Sequence, residues 1–401
     1  MKLGKVIGAP TRYRLWLPTH LGLIAADLLG TARQPLHSHR EHLQGAIDWL
    51  CRAQDIRIGL GDEGGVSAGW SFEDGWLPSY PETSGYVVET LLAAGDVLGR
   101  ADLRERSIRI LDWELSIQNA DGSFPGHFGE AASRPVVFNT GQIMHGMVAG
   151  YLQLGRADCL QAAVRAGRWL VQSQDADGCW RRNVHNAVPH TYNTRAAWAL
   201  LRTGILADEP ALREAAERNI RWALQQQSPC GWFATNAFVP GPAPFTHTIA
   251  YAVRGILESG LLLGSDEIVR SARTAAVALV RSQRADGWLA GTYADDWRPA
   301  ASYCCLTGLA QTAIIWQRLA RLDEDGAMGD AADRALDYLK RNHRLDGDGS
   351  PRDGAVAGSA PIWGRYSMFE YPNWAAKFFA DALMMAMSDI VIPSDVANED
   401  L

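Results

Sequence analysis

Gln174-Asp-Ala-Asp-Gly-Cys-Trp180 is one of several related turns in this chain. Residues 118–124 read QNADGSF, 227–232 QSPCGW and 283–288 QRADGW, and a looser copy, RLDGDGS, occupies 344–350. The glycines at 122, 178, 231, 287 and 347 lie 56, 53, 56 and 60 residues apart. A near-constant period means one supersecondary unit repeated, each copy burying its apolar face against the next. A length of 401 residues would ordinarily suggest two or three domains. A shared repeat core predicts instead one domain over 36–401, preceded by an N-terminal segment over 1–35 with a helix near 18–30.

The turns follow amphipathic helices, expected near 38–54, 102–118, 158–174, 209–227, 265–283 and 327–343. In ALREAAERNIRWALQQQ (211–227), Leu212, Ala215, Ala216, Ile220 and Leu224 form one stripe, and Arg213, Glu214, Glu217 and Arg218 face away. That is the periodicity of a helix with one face in water. A second set, near 82–95, 139–155, 193–204, 245–264, 302–319 and 373–387, carries little charge. Such helices are buried on most sides. Gly95, Gly155, Gly204 and Gly264 supply their stops.

Six one-faced helices alternating with six buried ones predict an all-α fold, an (α/α)6 barrel with six inner and six outer helices. An open superhelix of helix pairs is the alternative; six units and a long aromatic C-terminal loop favour closure. Antiparallel hairpins place every outer-to-inner loop at one end, and the site is expected there.

A net charge of −7 with no basic run argues against nucleic acid as a partner. Cys51, Cys159, Cys179, Cys230, Cys304 and Cys305 form no CxxC pair and have no zinc-like histidine spacing. They read as small buried side chains in a reducing compartment, with no metal or cofactor. The N-terminal apolar stretch is broken by Pro18, His20 and Asp27, so neither a signal peptide nor a membrane span is expected. A cytoplasmic location follows. Oligomeric state is not legible.

The loops and inner-helix starts are rich in aromatic and polar residues. The first inner helix opens on YPETSGY (80–86), after the aromatic turn carrying Trp70 and Trp76. His127 lies in FPGHFGE, ahead of Asn139. The third inner helix opens on HTYNTR, giving His190, Tyr192, Asn193 and Arg195. The fourth brings His247, Tyr251 and Arg254, the fifth Tyr303, and the sixth follows Trp363, Tyr366 and Glu370. Helix N-termini converging on one axis favour an anionic ligand. Thr83, Asn139, Asn193 and Thr246 are of the types that cap helices, and capping is the expected role of Thr83, Asn139 and Thr246. Aromatic faces with hydrogen-bonding side chains around a cleft suit sugar rings. Arg195 and Arg254 either pair with internal carboxylates or grip a substrate carboxylate. Glu82 is the best placed carboxylate for acid–base work. Glu370 and Asp296 could be loop ion-pair partners, and His145 a packed helix residue.

The QxxDGxW turns and alternating helices resemble the α/α-toroid superfamily, which contains terpenoid cyclases and protein prenyltransferases; similar barrels serve polysaccharide lyases and uronate epimerases. YPETSGY, HTYNTRAAWALL, THTIAYAVRGILE and CLTGLAQTAIIW look more specifically like toroid proteins of unassigned activity encoded with bacterial exopolysaccharide clusters. That resemblance implies glycan synthesis or modification. Against the isoprenoid members, the chain has no Asp-x-Asp-Asp acid, and Asp295-Asp296 has no third aspartate to complete a diphosphate motif. The zinc ligands of a prenyltransferase have no counterpart.

The expected function is therefore a carbohydrate-active enzyme acting on an oligosaccharide, one that can contain uronate. Lyase or C5-epimerase chemistry would let Arg195, Arg254 or Asn193 neutralise the carboxylate while His190, Tyr192, His247 or Tyr251 takes the neighbouring proton. Hydrolysis would use a carboxylate pair including Glu82. An isoprenoid enzyme, or a non-catalytic glycan-binding toroid, is the alternative. Tyr80, Trp76, His127, Asn139, Tyr303, Trp363, Tyr366 and Glu370 are the further expected substrate contacts.

Overall fold

A computed structural model describes residues 9–30, 32–127, 133–322 and 326–387. Its long helices are α1 (Pro18–Leu28), α2 (His39–Asp55), α3 (Pro81–Leu98), α4 (Asp102–Ile117), α5 (Val137–Leu154) and α6 (Ala157–Ser173). They continue with α7 (Thr194–Leu206), α8 (Pro210–Gln225), α9 (Thr246–Leu262), α10 (Asp266–Ser282), α11 (Leu306–Leu322), α12 (Gly326–Arg341) and α13 (Asn373–Met387). Odd-numbered helices from α3 onward touch one another in sequence, and α13 returns to α3. The inner ring is closed. Even-numbered helices lie outside it, and Leu212, Ala215, Ala216 and Ile220 of α8 are buried as their spacing demands.

Each outer helix packs chiefly on the inner helix that precedes it: α4 on α3, α6 on α5, α8 on α7, α10 on α9 and α12 on α11. The first, α2, packs on the last inner helix, α13. Short turns therefore join inner to outer helices at one end. The long outer-to-inner loops gather at the other. Gly99 and Gly155, both left-handed, end α3 and α5. Gly95 and Gly204 are not the stops they resemble; both lie within helices. At Gly204 a Cβ would stand 2.9 Å from the Arg213 backbone nitrogen, so this glycine permits close helix approach.

One device fixes the four regular repeat turns. Gln118 Nε2 donates to Gly122 O at 2.9 Å and to Ala162 O of the next outer helix at 2.9 Å. Gln174, Gln227 and Gln283 repeat it onto Ala215, Ser271 and Ala331. The turn glycines have φ of +92°, +88°, +86° and +88° and abut the next outer helix, so a side chain there would collide with backbone.

Gly347 does not belong to this set. Its φ is +66°, but a Cβ there would meet nothing. The position is taken by Gly354, whose N–H bonds Arg344 O and which presses on Gly45 of α2. Eleven residues separate His343 from Gly354, where four separate Gln118 from Gly122. His343 replaces the glutamine and meets His42 of α2 at 2.8 Å, Nδ1 to Nδ1. A further copy lies upstream, where Gln54 Nε2 donates to Gly64 O and Arg106 O at 3.0 and 3.1 Å. All six turns share the plan; insertions conceal the first and last.

Two small sheets depart from the all-helical expectation. β1 (Gly69–Ser71) pairs antiparallel with β2 (Gly75–Trp76) and, later, with β5 (Glu370–Pro372). β3 (Cys304–Cys305) pairs antiparallel with β4 (Ser359–Ala360), so α11 starts at Leu306 rather than 302. These ladders anchor both ends of the 361–369 loop over the barrel axis. Cys230 is exposed, against expectation, whereas the other five cysteines are buried, and all six are free. No described helix is long and apolar enough to cross a membrane.

The expected side-chain caps are absent. Tyr80, Val136 and Phe245 occupy the N-cap positions of α3, α5 and α9 without capping bonds. Thr83 receives Asn373 Nδ2 at 2.9 Å, and Thr246 Oγ1 donates to Ala290 O. Asn193 sits at the N-cap of α7 but makes no capping bond. Thr83 and Thr246 instead stitch neighbouring units together.

Candidate active site

A cavity of about 330 Å³ opens at the long-loop end of the barrel. Tyr80 and Glu82 enter from the start of α3, Phe138 from α5, and His247 and Tyr251 from α9. Tyr192 comes from a 3-10 turn ahead of α7, and Tyr366 and Trp374 from the approach to α13. The rings brace one another. Phe138 meets Tyr251 at 4.9 Å and Tyr192 edge-on at 5.1 Å, while His247 lies 4.3 Å from Tyr251 and 4.9 Å from Tyr366. Trp374 Nε1 donates to Tyr366 Oη at 2.8 Å.

Glu82 is the one carboxylate among the described residues that line this cavity. Pro81 starts α3, which places Glu82 in its first turn. Tyr80 Oη donates to Glu82 Oε2 at 2.7 Å, and Asn139 Nδ2 donates to Tyr80 Oη at 3.1 Å and to Gly126 O at 2.8 Å. Burial pushes the Glu82 carboxyl up to about 7, against the opposing pull of the Tyr80 hydroxyl and the Arg195 charge. Such a group can both take and return a proton near neutrality.

Arg195 differs from the other buried arginines. Arg202 pairs with Glu89 at 2.9 Å, and Arg254 and Arg318 share Glu258 at 2.6 and 3.0 Å. Arg195 has no carboxylate partner among the described residues; its Nε donates to Gln142 Oε1 at 2.7 Å. Its guanidinium lies over Trp198, Tyr251 and Phe378 at 5.3–5.5 Å. Burial lowers its pKa, and its charge reaches Glu82, His247 and Tyr251. Counting the inner helices, Arg195, Arg202, Arg254, Arg318 and Lys377 face Glu82, Glu89, Glu258 and Asp381. With Glu82 titrating near 7, the axis carries excess positive charge, which favours an anionic guest.

The His247 ring donates from Nδ1 to Gln311 Oε1 at 2.8 Å, which leaves the Nε2 lone pair for a ligand. Burial lowers its pKa to about 3, so the ring is neutral at ordinary pH. Burial holds the Tyr192 and Tyr251 hydroxyls above the normal phenol range. They are hydrogen-bond partners in their neutral form and poor bases.

Several expected contacts lie elsewhere. His190 donates from Nε2 to His185 O at 2.9 Å and stacks on Tyr192 at 4.3 Å, so it props the cavity wall from behind. Asn193 and Arg195 are buried, and neither is among the residues that line this cavity. Arg254 is held in its ion pairs. Trp76 packs on Trp49 at 5.4 Å within the β1–β2 hairpin. Glu370 lies in β5 opposite Ser71, near Glu73 and Asp74. His127 is exposed and borders a separate depression with Trp113. Tyr303 and Trp363 line a groove beside the cavity. Asp295 and Asp296 are exposed, the latter bonding Arg298 in its own loop. Among the described residues, no three or more His, Cys, Asp or Glu converge as a metal site.

The expected site residues did not include His185, Phe238, Arg365 and Ser367 of the cavity wall, nor Phe138, Phe245 and Trp374 at helix starts. The first four belong to loops. The available signal was turn chemistry: His185 lies between Asn183 and Asn186, at φ of 56° and 55°, and Ser367 itself adopts 42°.

The family model of the squalene-hopene cyclase C-terminal domain matches residues 84–258. No curated protein matches the chain. Among solved structures, an unsaturated glucuronyl hydrolase from a Bacillus species, described as responsible for glycosaminoglycan degradation, aligns with TM-score 0.65 and 17% identity over 85% of this chain and 96% of that one. An unsaturated glucuronyl hydrolase specific for heparin gives 0.68 and 14% over 86% and 96%. Cellobiose 2-epimerase from Bacillus thermoamylovorans gives 0.67 and 11% over 86% and 97%. The architecture is that of the α/α toroids.

Proposed function

We propose that the protein is a carbohydrate-active enzyme that performs proton-transfer chemistry on a uronate-containing oligosaccharide. The observation that carries this reading is Glu82: a buried carboxyl pushed up to about 7, bonded by Tyr80, in an aromatic cavity; behind the lining, Arg195 is buried with no carboxylate partner among the described residues, and its charge reaches Glu82. In this reading Arg195 neutralises the sugar carboxylate, which acidifies the adjacent C5 proton. Glu82 takes that proton, with Tyr80 held in register by Asn139. Return of a proton from water to the opposite face inverts C5; departure of the C4 substituent, with the proton from Glu82 passing to its oxygen, gives an unsaturated product. Tyr192, Tyr251 and Tyr366 supply stacking faces and hydroxyls, and His247 Nε2 accepts a hydrogen bond from a sugar hydroxyl.

Hydrolysis is the second reading, and it draws on the structural neighbours, one of which is named with the saccharide dGlcA-Glc-Rha-Glc. A two-carboxylate mechanism finds no second carboxylate among the described cavity residues. The partial cyclase match favours an isoprenoid enzyme. Cyclisation begun by alkene protonation needs a strong carboxylic acid, and burial makes Glu82 a weaker acid than a free carboxyl. We take residues 36–401 as one toroid domain and the six free cysteines as fitting a reducing, cytoplasmic setting.

The test is mass spectrometry of uronate-containing and neutral oligosaccharides after incubation in deuterated water. Deuterium entering an intact uronate identifies an epimerase, fragments without added water a lyase, and fragments with added water a hydrolase. Unchanged sugars together with turnover of a prenyl diphosphate would replace this reading with the isoprenoid one. Saccharide binding without turnover, indifferent to Glu82→Gln, would make the toroid a binding module.

A further inference from the structure

The cavity does not end at its rim. It continues into a groove of about 670 Å³, and Phe238, Phe245 and Arg365 line both. The groove wall is stiff. Pro242, Pro244 and Pro361 fix backbone φ along it. Tyr303 is clamped between two glycines: a Cβ on Gly364 would stand 2.8 Å from its Cδ2, and one on Gly291 would run into the same ring. Trp363 adds a second half-buried aromatic face, and Thr292 and Ser302 contribute hydroxyls.

Arg365 is exposed at the junction. Among the described residues it has no ion-pair or hydrogen-bond partner, and its charge acts on the Tyr303 hydroxyl. A planar guanidinium without a carboxylate, beside fixed aromatic faces, matches an acidic sugar: the rings stack and the acid takes the fork. An apolar chain would leave that charge unused.

We infer that the groove is a second saccharide-binding site, which takes the residues next to the sugar in the cavity and uses Arg365 to select chains bearing an acid there. The inference rests on the acidic-saccharide reading of the cavity. It implies that the preferred substrate is an acidic oligosaccharide of at least three residues, bound end-first. Pre-ordered walls lower the entropic cost of holding such a flexible chain.

The test measures binding rather than turnover, by isothermal titration of the Glu82→Gln protein with glucuronate oligomers of one to four residues. Neutral glucose oligomers of the same lengths serve as controls. Affinity for the acidic series should rise by about tenfold or more from one residue to three, and less for the neutral series. Trp363→Ala should flatten that rise while leaving the affinity for the single sugar unchanged. Arg365→Gln should erase the preference for acid in the longer ligands. Ser302→Trp, at an exposed position in the groove, should block length dependence without touching the cavity, and its melting temperature reports whether the fold survives. Tight binding of the single sugar with no gain on lengthening overturns this inference alone. No binding of any acidic member overturns it together with the reading of the cavity.

Discussion

Tyr80 Oη lies 2.7 Å from Glu82 Oε2 and donates into the carboxylate that faces the cavity. The bond favours the ionised form, so it restrains the rise that burial imposes on Glu82. With Glu82 as base, kcat/KM should rise with pH and level off above an inflection near 7. Tyr80→Phe removes the restraint and should move that inflection upward. Glu82→Gln should lower the rate by about 10²–10⁴-fold. A Tyr80→Phe profile displaced to lower pH would contradict this assignment.

Arg195 and Arg254 are both buried on inner helices, yet their removal should have opposite signatures. Arg254→Met leaves Glu258 with Arg318 and breaks a buried ion cluster, at a cost of about 3 kcal/mol. Arg195→Met breaks no carboxylate pair among the described residues and relieves a desolvated charge. Its stability should change by about 1 kcal/mol or less. Its KM for an acidic saccharide should rise by about 30-fold or more. Urea melts and steady-state kinetics on the two variants separate the roles.

Gly347 and Gly354 offer a direct check on the repeat. Both have positive φ, so alanine costs about 1 kcal/mol of backbone strain at either. At Gly354 the added Cβ also meets the Gly45 backbone, whereas at Gly347 it meets nothing. Gly354→Ala should therefore destabilise by several times the amount seen in Gly347→Ala. Equal losses in chemical denaturation would show that the seam tolerates the displacement.

Where the ring closes, His37 N–H donates to His42 Nε2 at 3.4 Å, so His42 donates from Nδ1 to His343. Burial holds both rings neutral, at about 3 for His42 and about 4 for His343; Lys340 pushes His42 the same way, and Glu41 opposes it. The unfolded chain takes up protons near 6.5. Stability from this pair is thus whole above 6.5 and falls as pH drops towards 4, by about 1.4 kcal/mol per unit for each ring. His343→Gln restores the glutamine of the other turns. Its stability should match the parent at pH 7.5 and exceed it at pH 5.

Sequence alone located the twelve barrel helices to within a few residues, because an apolar stripe on α8 or an uncharged run on α9 is a direct consequence of which faces meet water. The repeat was legible at Gly122, Gly178, Gly231 and Gly287, where nothing interrupts the turn. It was illegible at Gly64 and misplaced at Gly347, because inserted residues leave the three-dimensional contact intact while breaking the spacing. Glu82 was legible from its position at an inner-helix start. The sides taken by His190 and Tyr192 were not: His190 precedes the 3-10 turn that carries Tyr192, and only packing decides which of the two rings faces the cavity. His185, Phe238 and Arg365 come from loops without periodicity, so no pattern marks them.

The docking of α2 on α13 makes the molecule a ring rather than an array. In a linear array, each new unit stacks on one already made, and a unit can be deleted with little harm elsewhere. Here the first outer helix touches α3 only lightly and meets its main inner partner once the last helix has been synthesised, and His42 and His343 are 301 positions apart. At ordinary elongation rates, the buried stripe of α2 waits on the order of half a minute for its cover. A nascent arc with two open faces is a substrate for chaperones and a candidate for swapping its end helix with a neighbouring chain. Truncation after α11 would unseat the beginning of the protein as well as its end.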